Sequence, residues 1–354
     1  MFSTVLQELK GYLGQAFLLT VFVPVVFFAG LSASLYLEVS GGFTAAVAAW
    51  ERLSAWGQTA VAFGALFFLF VAAYIALLSQ YTLTRIFEGY WPQRWPLDRI
   101  RSARVAYYRE RRRYLKLRLG DLSKLRLGDP SKPLADAERR ILEDEYLATF
   151  PPGRRSDRLM PTRIGNILRA SEVHAYDRYG IDSVVIWTRL RPLLPAEAVA
   201  SLEQTKAARD FFLLLTVLSA AFALAWCPLL AAFTNRWDLC LVCCLAWLLS
   251  GVFYRNAVES AVAYGERVKA TFDVYRSLLP KALGIEVPAD PELERALWLG
   301  LSRLFYRNLP FTRPEAANGG GAGPVDEFAR ALTKLIQREL ERGASGVAHR
   351  AADE

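Results

Sequence analysis

Residues 211–233 read FFLLLTVLSAAFALAWCPLLAAF, and residues 238–254 read DLCLVCCLAWLLSGVFY. The first stretch holds no charged residue, and the second holds only Asp238, at its edge. A helix needs about 20 mainly apolar residues to cross a hydrocarbon layer of about 30 Å. Both stretches reach that length, the second narrowly. Two further uncharged stretches, 13–36 and 58–80, reach it as well. The chain's 53% hydrophobic content is therefore gathered in four blocks, while its 22% charged content lies mostly between them. That distribution excludes a disordered chain, a collagen and a small disulfide scaffold. Block 13–36 outruns the apolar core of a secretory signal, about 7–15 residues, and so reads as a true span. Ahead of it, Phe2, Val5 and Leu9 fall at helical spacing and suit an interfacial helix.

The basic residues orient these spans. Of 43 Lys and Arg, 41 share one side if the N-terminus, 81–210 and 255–354 lie together; only Arg52 and Arg236 fall opposite. The residues nearest the spans carry most weight. They agree: Arg85, Arg94 and Arg99 follow the second block, Lys206 and Arg209 precede the third, and Arg255 follows the fourth. The expectation is an all-α membrane protein with four transmembrane helices in two hairpins and a helical cytoplasmic domain. Both termini are expected in the cytoplasm. The expected divisions are a first hairpin (1–80), a basic insert (81–210), a second hairpin (211–256), a helical extension (257–310) and a C-terminal segment (311–354). The insert holds 26 basic and 17 acidic residues, a net +9 against +8 for the whole chain. That excess would face an anionic leaflet.

Past the second span, Phe87, Tyr90, Trp91 and Trp95 form an aromatic belt of the kind found at headgroup level. Pro92 and Pro96 break the exiting helix, and a new one is expected from Leu97. Its run Arg109, Arg111, Arg112, Arg113 and Lys116 is the candidate site for anionic lipid headgroups. No nucleic-acid-binding motif accompanies it, so nucleic acid is not expected as a partner. Residues 117–132 are a tandem octapeptide, LRLGDLSK then LRLGDPSK, read as a duplication within an exposed loop. Residues 134–149 form a charged helix. Its Glu143, Asp144 and Glu145 point about 100° apart in succession and cannot converge on one cation.

The stretch 160–195 is the densest in candidate features. Thr162 is placed to cap a helix with Ile164, Ile167 and Leu168 on one side. Arg163, Asn166 and Arg169, near that helix N-terminus, are a candidate turn for a phosphate or carboxylate ligand. Gly180 ends the helix in the left-handed region. Residues 182–187, rich in β-branched side chains, read as a short strand or extended segment. Pro195 starts a helix that runs into the third span. The fourth span continues outward, its Val258, Val262, Gly265, Val268, Phe272, Tyr275 and Leu279 forming a seam of period near 3.5 that demands a packing partner. Asp290-Pro291 opens a further helix to about Arg307. Residues 318–323 are a glycine-rich linker, 324–342 an amphipathic helix, and the tail beyond reads as disordered.

Catalytic chemistry is harder to place. His174 and His349 are the only histidines, far apart, which argues against a His-based metal site or a conventional triad. Cys227, Cys240, Cys243 and Cys244 lie within spans, where cysteine acts mostly as a small hydrophobe. There is no phosphate-binding glycine loop and no nucleophile elbow. The spans carry no charged residue in their interiors, unlike most ion-coupled transporters. Pro24 and Pro228 sit within spans, and Gly30/Ser34, Ala60/Gly64 and Ser219/Ala223 suit close helix packing. The reading is a non-enzymatic protein with no cofactor and no metal.

The runs Pro161-Thr-Arg-Ile-Gly-Asn-Ile-Leu-Arg-Ala-Ser-Glu172, Arg178-Tyr-Gly-Ile-Asp182, Trp187-Thr-Arg-Leu190 and Pro192-Leu-Leu-Pro195 resemble a pattern in a family of uncharacterised bacterial four-span integral membrane proteins. Tyr264-Gly-Glu-Arg-Val268 and Ala296-Leu-Trp-Leu-Gly-Leu-Ser-Arg303 are similar to that group too. The resemblance implies a bacterial inner-membrane protein and no established activity. In topology alone, without sequence motifs, the chain also resembles bestrophin-type anion channels. The leading expectation is a scaffold or sensor whose cytoplasmic domain binds a protein or an anionic ligand. The alternative is an oligomeric ion channel, with Thr20, Ser32, Ser34, Thr59 and Ser219 as candidate lining. A lipid-modifying enzyme ranks last. The small-residue faces and the seam are compatible with a homo-oligomer.

Overall fold

A computed structural model describes residues 17–123, 133–151, 159–233 and 237–307. Among them every regular element is helical. The chain divides into two units, Met1–Phe311 and Thr312–Glu354, and the second lies outside the described residues. So do the expected interfacial helix near Phe2, the second octapeptide copy, the 318–323 linker and the 324–342 helix.

Four helices are long and apolar enough to cross a membrane. The first, α1 (Leu18–Val39), begins with a π-turn at Leu18–Phe22. Pro24 lies just past that turn; it has no N–H to give, and a wider turn adjusts the bonding pattern ahead of it. A short α2 (Gly42–Glu51) leads to α3 (Ala55–Glu88), which Ser54 caps by accepting the Gly57 N–H at 3.2 Å. The others are α8 (Ala196–Phe233) and α9 (Trp237–Tyr275). Only 6% of the most apolar stretch of α3 is buried within the chain. Phe63, Phe67, Phe68 and Leu78 lie open on its surface. Such a face is stable only against lipid or another apolar surface.

The remaining helices form a polar layer at one end: α4 (Leu97–Ser123), α5 (Pro133–Thr149), α6 (Arg163–Tyr179), α7 (Ser183–Leu190), the short α10 (Leu278–Ala282) and α11 (Pro291–Arg307). Helices α8 and α9 join that layer to the apolar one. They run antiparallel: Ser250 Oγ donates to the Thr216 carbonyl at 3.0 Å, and Arg209 stacks over Tyr264 at 5.1 Å. The outer ends meet where Leu230 and Cys243 share a cluster with Leu35 and Phe222. The inner ends meet where Leu202 and Phe272 share one with Leu190, Leu297 and Trp298. The expected divisions at 210/211 and 256/257 therefore fall inside unbroken helices. The seam of α9 finds its partners within the same chain, with Ala257, Val258 and Ala261 packed on Ile164, Ile167 and Leu213.

Three sequence expectations are corrected. Residues 183–190 are helical, not extended. Asp182 accepts the Val185 N–H at 3.2 Å, and this cap, with Ile186 and Leu190 buried one turn apart, overrides the β-preference of Val184-Val185-Ile186. The first octapeptide copy is not a loop through Ser123, because α4 continues to that residue. The seam helix stops at Tyr275, before Leu279. Pro280 cannot donate to residue 276 and its ring crowds that carbonyl, so the helix breaks one turn upstream.

Candidate functional site

The N-terminus of α6 is the hub of the polar layer. Thr162 Oγ1 accepts the Gly165 N–H at 3.0 Å. Asn166 is 0% exposed; its Oδ1 accepts the Met160 N–H at 2.9 Å, and its Nδ2 donates to the carbonyls of Met160 and Thr162 at 2.9 and 2.8 Å. Gly165 lies against the Glu88 carbonyl, so closely that a Cβ there would overlap its oxygen. The end of α3 thus rests on the start of α6. Of the candidate ligand turn, Asn166 is committed to its own backbone, Arg169 is paired with Glu172 at 2.9 Å, and Arg163 is exposed.

The basic run of α4 divides by helical phase. Arg109, Arg113 and Lys116, spaced by four and three, are exposed along one stripe. Arg111 and Arg112 face inward: Arg111 grips Glu145 of α5 with both branches, at 2.8 Å for the shortest contact, and Arg112, 9% exposed, donates to the Pro151 carbonyl at 3.1 Å. Burial pushes the Tyr108 hydroxyl above its usual pKa in the adjoining cluster of Leu115, Phe150 and Leu159.

A cavity of about 780 Å³ opens between α3, α6, α7, α8 and α9. Pockets that enclose small ligands span about 300–1,000 Å³. Its lining combines the apolar side chains of Leu77, Leu78, Leu168 and Trp187 with the polar ones of Thr84, Glu88, Lys206, Arg209 and Asp210. The site lies where the apolar stretches of α3 and α8 give way to charge. Arg209 is 5% exposed and bonds Asp210 Oδ1 through Nε and NH2 at 2.9 and 2.8 Å. Thr84 Oγ1 adds a 3.4 Å contact to the same oxygen. A buried cation is tolerated because this carboxylate and the Tyr264 ring replace its water.

Sequence reasoning used Arg209 and Lys206 only as orienting charges. A signal for Arg209 was present: it shares the buried stripe of α8 with Leu202, Leu213 and Thr216, at steps of seven, four and three. A second cluster was not legible in sequence. His174, expected to stand alone, lies with Nε2 2.9 Å from Asp273 Oδ1, and Tyr179 donates its hydroxyl to the same oxygen at 2.8 Å. An ionised carboxylate only accepts, so this contact requires the proton on Nε2. Burial works to raise the Asp273 pKa, but the bonds from His174 and Tyr179 outweigh it and hold the group below the usual carboxylate value. Burial first, then the bond to Asp273, raises the Tyr179 hydroxyl. Arg276 stacks on Tyr179 at 4.1 Å and pairs with Glu294 at 2.7 Å, tying α6, α9 and α11 together.

Ser34 and Thr59 are exposed and donate to their own helices, at Gly30 and Ala55. Ser219 is buried in α8 without a hydrogen-bond partner among the described residues, while Thr20 lines a small recess with Gln80 and Lys206. The four cysteines are free thiols, and Cys243 is packed as a hydrophobe. Among the described residues no group of His, Cys, Asp and Glu is arranged to hold a metal ion. No protein family, curated protein or solved structure matches the chain.

Proposed function

We propose that the chain is a non-enzymatic membrane protein that senses the state of its bilayer and relays it to a cytoplasmic helical scaffold. Its four spans form two hairpins with both termini inside, in a bacterial inner membrane. The observation that carries this reading is the unbroken pair α8–α9. At about 1.5 Å per residue each helix is roughly 57 Å long, well beyond the roughly 30 Å of hydrocarbon. A shift of the paired span ends must therefore move the polar segments that pack on α6, α7 and α11. Rigid helices bridging two layers are the physical form that such coupling takes. The charge asymmetry supports the orientation, because the residues flanking the spans on the polar-layer side are mostly basic.

The test is hydrogen exchange of the intact protein in nanodiscs of short- and long-chain phosphatidylcholine. Peptides covering 163–194 and 291–307 are expected to change protection with bilayer thickness. Identical exchange in both bilayers sinks the sensor reading. A C-terminal reporter active only in the cytoplasm checks the orientation. Protein-dependent chloride or potassium flux in proteoliposomes makes the chain a channel instead.

A further inference from the structure

The outer side of α4 carries groups that the fold leaves unused. Arg109, Arg113 and Lys116 are exposed, and no ion pair or hydrogen bond joins them to another described residue. Beside them Tyr107, Tyr114 and Leu117, at steps of seven and three, are each more than half exposed. The opposite side is spent: Tyr108 and Leu115 pack with Phe150 and Leu159, while Arg111 and Arg112 hold Glu145 and the Pro151 carbonyl. The helix has nine basic residues, and between Asp98 and Asp121, which stand near its ends, Glu110 is the only acid.

The packing of α4 sets its level. Gly89, the first residue past α3, lies so close to Pro161 that an added Cβ would overlap the proline ring. Arg104 of α4 donates to the carbonyl of that same Pro161 at 3.4 Å. Further along, Tyr107, Tyr108 and Arg111 share a recess with Arg163, the first residue of α6. From Arg104 to Arg111 is about 10 Å of helix. Over that length α4 stays beside residues 161–163 and does not pass down the flank of α6. It therefore crosses the start of α6, where α3 leaves the apolar layer. Tyr90 and Trp95, in the connection between α3 and α4, are exposed too, and such rings settle at headgroup level.

We propose that the outer side of α4 docks on the anionic headgroups of the bilayer that the spans cross, with Arg109, Arg113 and Lys116 on phosphates and Tyr107, Tyr114 and Leu117 at the edge of the acyl layer. A basic edge beside an aromatic and apolar one is the make-up of a helix that lies in a membrane interface. Of the five basic residues in this run, the two that face inward take no part. A nucleic acid would engage the bases but leave Leu117 in water. Neutralising one base near an anionic surface weakens docking about five-fold. The proposal rests on the membrane reading above, but its test is separate, because bilayer thickness plays no part in it.

The experiment uses the full chain in nanodiscs of phosphatidylcholine, with and without phosphatidylglycerol. The variant Tyr114→p-benzoylphenylalanine carries a photo-crosslinker of similar shape, and its adducts are read by mass spectrometry. Lipid adducts are expected to be at least about five-fold more abundant when phosphatidylglycerol is present. They should fall back in 1 M salt, where screening shortens to about 3 Å. Adding Arg109→Gln, Arg113→Gln and Lys116→Gln together is expected to bring the yield to that of the pure choline discs. Thermal unfolding of this variant should match wild type, because the three side chains have no partner among the described residues. Leu117→p-benzoylphenylalanine repeats the test should Tyr114 not tolerate the probe. Val274 is the control position: it is exposed on α9, 20 residues and about 30 Å past Tyr254, whose ring meets Phe87 near the end of α3. Equal yields in the two discs overturn the proposal, as do adducts that survive the charge variant or are matched at Val274. Adducts to co-purified RNA in place of lipid overturn it as well. A thickness response without lipid adducts leaves the sensor reading standing and removes this one; the converse result does the opposite.

Discussion

Gly165→Ala sets two helix effects against each other. Alanine is favoured over glycine within a helix by up to about 1 kcal/mol. At this position the added Cβ would lie 2.8 Å from Thr162 Oγ1 and 2.9 Å from the Glu88 carbonyl carbon, and would overlap the carbonyl oxygen. Carbon atoms pack at about 3.5–4.0 Å, so the end of α3 and the start of α6 must part by about 1 Å. The obstruction is backbone on one side and the capping hydroxyl on the other, so no rotamer change relieves it. Overpacking of this kind costs about 1–3 kcal/mol, and a backbone clash belongs at the upper end. Subtracting the propensity gain leaves a net loss of about 2 kcal/mol. At about 2–4 °C per kcal/mol for a chain of this size, Tm falls by about 4–8 °C. The assay is thermal unfolding in detergent followed by tryptophan fluorescence. Gly120→Ala is the control, since a Cβ there meets nothing within 4 Å. A Gly165→Ala protein as stable as wild type, or as the control, refutes the claim that α3 rests on α6 through this glycine.

Three further outcomes follow from the same geometry. Asn166→Ala removes three buried bonds and strands the Met160 N–H, and is expected to cost about 3 kcal/mol in denaturant unfolding; a loss below about 1 kcal/mol contradicts the burial argument. Asp210→Ala leaves Arg209 unpaired in the cavity wall at a cost of about 3–5 kcal/mol, and the double variant Arg209→Met/Asp210→Leu should recover most of it in the same assay. For Asp273 the folded pKa is lowered, so its contribution is full above the unfolded value of about 3.9 and is lost as pH falls through the folded value. Wild type should therefore lose more stability than Asp273→Asn on acidification below about pH 4, and parallel curves would show that the His174–Asp273–Tyr179 bonds do not set that pKa.

Where the sequence succeeded, the signal was local and periodic. Four apolar runs long enough to span a bilayer became four long apolar helices. The caps at Thr162 and Asp290 and the stop at Gly180 were legible because each acts within one helical turn. It misled where local preference opposed packing: Val184-Val185-Ile186 favour a strand, yet the Asp182 cap and burial of Ile186 made a helix. The basic run of α4 looked uniform in sequence, and only the partners Glu145 and Pro151 separated the inward arginines from the exposed stripe.

The cavity and the polar cluster lay beyond sequence reading for a different reason. His174 and Asp273 are 99 residues apart, and Thr84 and Asp210 are 126 apart. No composition or spacing encodes which distant side chains meet. By itself the sequence determined the number of long apolar helices and where along the chain the positive charge gathers, because hydrophobic burial and charge solvation act residue by residue. Only the tertiary structure decided which charges neutralise each other, as Arg209 does Asp210 and Arg276 does Glu294, because pairing depends on distances that the chain sets only after its helices have packed.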